Sequence, residues 1–480
     1  MTTTQQTQSS VSAAGSISRL ACWLILGLVL LADALDLIDS TVTNIAAPTI
    51  VGDIGGGEGL IKWLGSSYAL AMGILLVIGG RLGDRYGQRR MFLTGMAGFT
   101  VASAVAGLSP DPAVLIVARV VQGLFGAMLI PQGMAIMTKT FPRDLLKKAF
   151  NIFGPLLGVA TVGGPLLAGF IIDADIAGLG WRPIFLVNIV LGVVGVAVAL
   201  KLLPRDGADP SVTVDGVGAG LLAVTMFGLM FGLIEGSTYG WGAVPIASLL
   251  MGVIFLVLFG RRQTSAAEPL IKPSLLKNKG FSSGMIVGLL FFAVTAGITY
   301  VFSLFMQGPL RETPGHTAVG LLPLTFGIIA GSGLCIGLGG RLGRKLIAVG
   351  MVVTMLGAGL LLALLSAKGM DVTLWQLALP IFVTGVGMGC CYGLIIDIAL
   401  GDIDPAEAGS ASGTLTSVQQ LANGIGSAVV TTVYLHAGAP VHAIKVALIV
   451  VLAVTAVCLP AVKLLPRNAA TESAGEEGGQ

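Results

Sequence analysis

The chain has 480 residues, of which 55% are hydrophobic and only 11% charged, with a mean hydropathy of +0.93. A water-soluble domain averages roughly 25% charged residues, so this composition excludes a soluble globule of this size and makes lipid the main solvent. The net charge of +3 gives no reason to expect a nucleic-acid partner.

The first 19 residues, "MTTTQQTQSSVSAAGSISR", are polar and are expected to form a disordered tail, as is 466–480. Apolar runs of about 20 residues, enough to cross roughly 30 Å of hydrocarbon, then recur from Leu20 to Leu465. Fourteen spans are predicted, near 21–47, 62–80, 91–109, 112–137, 150–172, 183–203, 215–235, 242–260, 281–306, 317–338, 346–366, 373–399, 409–434 and 442–463. The expected fold is therefore all-α and integral to the membrane. The first run is longer and more acidic than the apolar core of a cleaved signal peptide and is expected to remain. An even span count puts both termini on one side. The loops and tails on that side hold 21 of the 27 Lys and Arg, against 5 on the other, which predicts cytoplasmic termini.

Span one carries Asp33, Asp36 and Asp39 in an apolar run. Each would cost roughly 2.5–3.5 kcal/mol at mid-bilayer if it faced lipid. A step of three residues turns a helix about 300°, so all three share an arc of about 120° and can face one interior cavity. Thr43 extends that face and Asn44 flanks it. Arg119, in span four, is the only basic residue away from the ends of a span. Asp39 and Arg119 lie about nine and six residues from the outer ends of their spans, a depth difference of roughly 5 Å, so they are expected to form an ion pair. One arginine cannot neutralise three carboxylates, and the rest are expected to take up and release protons. Asp397, late in span twelve, is a further acid in an apolar run, read as a substrate contact or a helix-end group.

"GGRLGDRYGQRR" (Gly79 to Arg90) follows span two, and "GGRLGRK" (Gly339 to Lys345) follows span ten. The shared five residues point to a duplicated half, one of the common transporter plans. Gly79, Gly80, Gly83 and Gly87 would let two helix ends turn tightly. Asp84 could accept from a helix N-terminus or pair with Arg85, Arg89 or Arg90. The loop is thus expected to act as a cytoplasmic latch. In the second copy Arg344 stands where Asp84 stands in the first. In "GGPLLAG" (Gly163 to Gly169), Gly163, Gly164 and Gly169 allow close helix crossing, and Pro165 frees a carbonyl and kinks the span. The five cysteines, Cys22, Cys335, Cys390, Cys391 and Cys458, show no disulfide or metal-ligand spacing. No cofactor is expected, and no nucleophile–base pattern suggests an enzyme.

"GGRLGDRYGQRR" resembles the signature loop of the major facilitator superfamily. "IDSTVTNIAAPTI" (Asp39, Thr41, Asn44, Pro48), "RVVQG" with Gly126 (Arg119, Gln122, Gly123), "GGPLLAG", "GWRPIFLVN", "EPLIKPSLLKNKGF" and "SASGTLTSVQQLANGIG" are similar to its fourteen-span drug:proton antiporter branch, the EmrB/QacA type. In "GGPLLAG", Ala168 replaces one usual glycine. Asp33 and Asp36 lie outside the usual pattern. The resemblance implies a six-helix bundle over 20–203, two inserted helices and a linker over 204–280, and a second six-helix bundle over 281–465. Proton coupling is expected at Asp39, Asp36, Asp33 and Arg119, and a cavity near Thr43, Asn44, Gln122 and Asp397, while the resemblance implies an antiport hinge at Gly164, Pro165 and Gly169. The expected activity is proton-driven export of hydrophobic or cationic small molecules by a monomer in the plasma membrane, with the small molecule, protons and bilayer as its partners. The alternatives are a narrow exporter or symporter of one metabolite or self-made antibiotic, and a non-transporting membrane sensor.

Overall fold

A computed structural model describes residues 18–142, 145, 163–210, 212–271, 273–401, 403 and 408–466. Residues 1–17 and 467–480 of the expected tails, the cluster Arg143, Lys147 and Lys148, and the first part of the fifth span lie outside the described residues. So does the side chain of Asn44.

The described residues form helices joined by short turns, with no strand among them. The long ones are α1 (Arg19–Ile54), α2 (Gly57–Tyr86), α3 (Gln88–Gly107), α4 (Pro112–Thr140), α5 (Gly163–Asp173), α6 (Pro183–Leu202), α7 (Gly216–Tyr239) and α8 (Ala243–Ser265). After a short helix at Pro273–Lys277 come α9 (Lys279–Gln307), α10 (Pro314–Leu342), α11 (Arg344–Lys368), α12 (Leu374–Leu400), α13 (Ala408–His436) and α14 (Pro440–Ala461). Eleven of the described helices are long and apolar enough to cross a bilayer. α3 and α13 are long enough but carry more Ser, Thr, Gln and Gly, and α5 runs into residues that are not described.

The helices overrun the apolar windows because intrahelical hydrogen bonds continue into the polar turns. Thus α1 stops only at Gly55 (φ +78°) and α2 at Gly87 (φ +92°), positive-φ positions suited to glycine. Their starts follow side-chain chemistry. Asp111 accepts from the amides of Ala113 (2.9 Å) and Val114 (3.0 Å) ahead of α4, with Pro112 at its first position. Asn278 caps α9 and Thr313 caps α10 in the same way.

Glycine sets how closely the helices approach. α10 and α12 cross backbone to backbone, with Gly327 and Gly331 facing Gly385 and Gly389 at a four-residue spacing. A side chain at Gly385 or Gly389 would fall on the carbonyls of Leu324 or Ile328. Where lipid removes the hydrophobic drive between helices, such contacts supply the packing. α7 and α8 cross similarly at Gly228 and Gly252, and α7 rests on α2 and α13 through Met226 and Met230. Below them, Arg262 holds the N-cap residue Asp215 at 3.1 Å. Burial would raise the Asp215 carboxyl, but the hydrogen bonds from Arg262 and the Gly218 amide outweigh it and hold the group below the usual range. The bilayer-facing sides carry exposed apolar residues such as Val101, Val190 and Leu379.

The two ends of the molecule differ. At the end bearing the α1–α2 turn, Val42, Ile45, Ile50 and Leu60 share one buried cluster with Phe291, Ile298 and Tyr300 of α9. Tyr300 there donates to the Ile61 carbonyl at 2.7 Å. Toward the end bearing the α2–α3 turn, Ile25, Val29 and Leu35 of α1 pack with Phe92, Met96 and Phe99 of α3 in a separate cluster. The early and late parts of the chain thus share a buried apolar cluster at the α1–α2 end.

Replacing Gly385 with Val should cost about 1–3 kcal/mol or more from forced overpacking and lower the yield of monodisperse protein in detergent severalfold. Gly359→Val, where no atom lies within 4 Å of the added carbon, should leave the yield near wild type. Size-exclusion chromatography of the two variants checks this.

Candidate functional site

The three aspartates of α1 are all buried, at 5%, 5% and 1% relative exposure for Asp33, Asp36 and Asp39. Their surroundings differ. Asp39 meets the fully buried Arg119 of α4 through Oδ2 and Nη1. Its Oδ1 accepts from Gln122 Nε2 at 2.7 Å and Asn188 Nδ2 at 2.9 Å. Gln122 Oε1 accepts from Arg119 Nη1 at 2.8 Å, and Ser103 Oγ of α3 accepts from Gln122 and Asn188 at 2.8 and 3.3 Å. Arg119 Nε reaches the Leu64 carbonyl at 3.4 Å. Each group that contacts the Asp39 carboxyl donates to it, an arrangement suited to a carboxylate.

Asp36, nearly one turn earlier, accepts from the hydroxyl of Tyr68 on α2. The same tyrosine turns its ring to Arg119, whose guanidinium carbon lies 4.2 Å from the ring centroid. Arg119 Nη2 has no hydrogen-bond partner among the described residues, and the ring supplies a cation–π contact to the same guanidinium. α4 approaches because Gly126 is bare: a methyl group there would lie 2.7 Å from Asp36 Oδ1 and 3.0 Å from the Tyr68 hydroxyl. Asp33 is the outlier. Neither of its oxygens has a hydrogen-bond partner among the described residues.

The other expected site residues scatter. Thr43 is buried and its hydroxyl returns to the Ser40 carbonyl of its own helix at 3.4 Å. Gln122, expected to line a cavity, is fully buried inside the ion-pair network. Asp397 is exposed on α12, one turn after Gly393, which packs on Cys335 of α10. No hydrogen bond or ion pair among the described residues joins it to the α1 acids.

The stretch expected to be a loop is mostly helix, since α2 runs through Tyr86 and only Gly87 makes the turn. Gly79 lets α4 approach, with Ala127 O 3.0 Å from an added carbon, and Gly83 packs on Gln132, whereas Gly80 has no such neighbour. Asp84 accepts from Gln88 at 3.2 Å and faces Lys139 of α4 at 3.9 Å. Arg85 donates to the Val212 carbonyl at 3.1 Å, Arg89 to the Leu200 carbonyl at 2.6 Å, and Arg90 is exposed. Asp206, which the sequence reading did not single out, accepts from the first amides of α3, those of Gln88 and Arg89. In the second copy Arg344 binds the carbonyls of Lys463 and Leu465 at 2.9 and 2.8 Å, ending the last helix.

On α5, Gly164 lies against Ile38 and Thr41 of α1, and Gly169 against Pro314 and Gly315 of α10. Asp173 extends that second contact by accepting from Thr313 Oγ1 at 2.8 Å and the Gly315 amide at 3.0 Å. The carbonyl that Pro165 would free belongs to Thr161, outside the described residues.

The family model of the Major Facilitator Superfamily matches residues 29–218 and again 216–427. The chain belongs to that superfamily. Among its relatives in the superfamily is the "Probable actinorhodin transporter" of Streptomyces coelicolor, 39% identical over 88% of this chain and 74% of that protein. The "Tetracenomycin C resistance and export protein" of Streptomyces glaucescens is 32% identical over 82% and 72%. A puromycin resistance protein of Streptomyces alboniger is 32% identical over 86% and 81%. Among solved structures, a transporter of the POT family bound to a conjugated peptide shares the fold with a TM-score of 0.68 at 13% identity, over 91% of this chain and 95% of that one. These superfamily relatives point to a multi-pass bacterial membrane transporter in an efflux lineage, not to an enzyme.

Arg119→Ala would strand Asp39 in an apolar interior, a loss of about 3–5 kcal/mol for a broken buried pair. The variant should melt well below wild type in detergent, and Asp39→Asn combined with Arg119→Gln should recover part of the difference.

Proposed function

We propose that the chain is a proton-coupled exporter of small molecules that works by alternating access, as a fourteen-span member of the drug:proton antiporter branch. In this reading two six-helix bundles flank α7 and α8, both termini are cytoplasmic, and the α1–α2 end faces out, so the structure is closed to the outside. The observation that carries the reading is the graded surroundings of the three α1 acids. Among the described residues, Asp39 has a full set of donors, Asp36 one named donor, the Tyr68 hydroxyl, and Asp33 none. A buried carboxylate short of donors is stabilised by a proton. Asp36 and Asp33 are therefore the exchangeable sites, and Asp39 with Arg119 is the fixed charge pair beside them. Gly164 and Gly169 support the antiport hinge, since both leave α5 in contact with helices that must move relative to one another. Alternation would release the Asp173–α10 contacts and close the opposite end.

The relatives favour one narrowing. Two of them carry names of antibiotic transport or export, which supports a self-made antibiotic as cargo in place of a broad range of drugs. A susceptibility screen in a pump-deficient strain separates the two: a single hit supports the narrow exporter, and a wide shift the polyspecific one.

Everted vesicles containing the chain and a preformed pH gradient should lose that gradient when a compound from the screen is added. Asp36→Asn should reduce the release at least about tenfold, as removal of an essential proton site. Unchanged release in that variant would make the carboxylate structural.

A further inference from the structure

We infer that Tyr68 is the positioning residue that carries the protonation state of Asp36 to the α2–α13 interface. This rests on the proton-coupled reading above. Three contacts of one side chain and its helix support it. The Tyr68 hydroxyl donates to Asp36, and its ring lies on Arg119, the partner of Asp39. Tyr68 is thus the side chain that touches both the ion pair and the second acid.

Its helix makes the third contact. Within about one turn on either side of Tyr68, α2 meets α13 directly: Ser66 Oγ donates to the Gly424 carbonyl at 3.4 Å, and Gln420 Nε2 reaches Met72 Sδ at 2.8 Å. Gly73 sits against the Ser417 carbonyl, 3.4 Å from an added carbon. α13 belongs to the late part of the chain and α1 to the early part, so α2 is where an event at Asp36 meets a surface that slides in alternating access.

The titratable and charged groups facing this cluster are Asp33, Asp36 and Asp39 from α1, Arg119 from α4 and Tyr300 from α9. α3 and α6 contribute the neutral Ser103 and Asn188. When Asp36 is ionised, it anchors the phenol as a charged acceptor. When it takes a proton, that anchor weakens. The ring then holds to Arg119 alone, and α2 is free to shift against α13. Buried completely, with 1% exposure, Tyr68 cannot exchange its partner for water.

The test uses the full chain in lipid nanodiscs with protons as the probe. Met72→Cys with Gln420→Cys reports the α2–α13 contact through the rate of cross-linking by a bifunctional thiol reagent, followed across pH. In the otherwise wild-type chain the rate should change with pH through one midpoint. Tyr68→Phe keeps the ring on Arg119 and removes only the hydroxyl, and should move that midpoint by on the order of one pH unit while leaving the melting temperature nearly unchanged. Gly126→Ala keeps both groups but wedges a methyl between them, and should move it as well, which keeps the test open should Tyr68→Phe fold poorly. A wild-type midpoint in both variants, alongside a flattened profile in Asp36→Asn, overturns the role of Tyr68 alone. A wild-type profile in Asp36→Asn overturns the proton reading beneath it.

Discussion

A guanidinium with no solvent exposure, inside a protein surrounded by lipid, has to be balanced where it stands. Arg119 is balanced by Asp39, and five helices bring groups to that one pair: α1 the carboxylate, α2 the Tyr68 ring and Leu64 carbonyl, α3 Ser103, α4 Gln122, and α6 Asn188. Desolvating both charges is expensive, and the surrounding amides offset it by meeting the remaining lone pairs of Asp39. The early helices are held in register by this network. With Arg119 committed to Asp39, the other two acids of α1 have, among the described residues, one phenol donor between them. That inequality is the origin of the proposed proton sites.

The second constraint is bulk. Lipid-facing helices gain nothing from hydrophobic association with each other, and the chain uses bare glycines to bring backbones into contact. At Gly385 and Gly389 this makes a fixed joint between α10 and α12. At Gly169 it makes a seam that Asp173 closes by accepting from the first turn of α10, where the helix dipole favours a carboxylate. A rigid charge network on one side and glycine seams between parts of the chain are what a rocking mechanism needs. In the proposed alternating access, the charges would hold the early helices together while the seams part.

Much of this was legible in the sequence, because burial in lipid leaves a strong mark on composition. The apolar runs gave an all-helical membrane chain, and residue depths brought Asp39 opposite Arg119, where the two side chains meet. Tyr68, Ser103 and Asn188 went unread because a lone polar residue in an apolar helix shows no partner until the helices are packed. The signal was present: "SSY" interrupts α2, and Asn188 is a single amide within "PIFLVNIVLG". Gln122 was placed in a cavity for the same reason. "GGRLGDRYGQRR" was read as a loop from its glycines, yet three of them serve helical residues and only Gly87 needs a positive φ. Asp206 was missed because its work, capping α3 from a segment more than a hundred residues later, has no local pattern.

The central claim is that Asp36 takes and gives up a proton while Asp39 stays paired with Arg119. Infrared difference spectroscopy of the purified protein, titrated from about pH 5 to 9, reads protonated carboxyl groups directly. The account predicts carboxylic-acid absorption from Asp36 and Asp33 that fades reversibly as the pH rises, with the Asp36 band missing in Asp36→Asn. A spectrum without that band at any pH, or one identical in the variant, would contradict it.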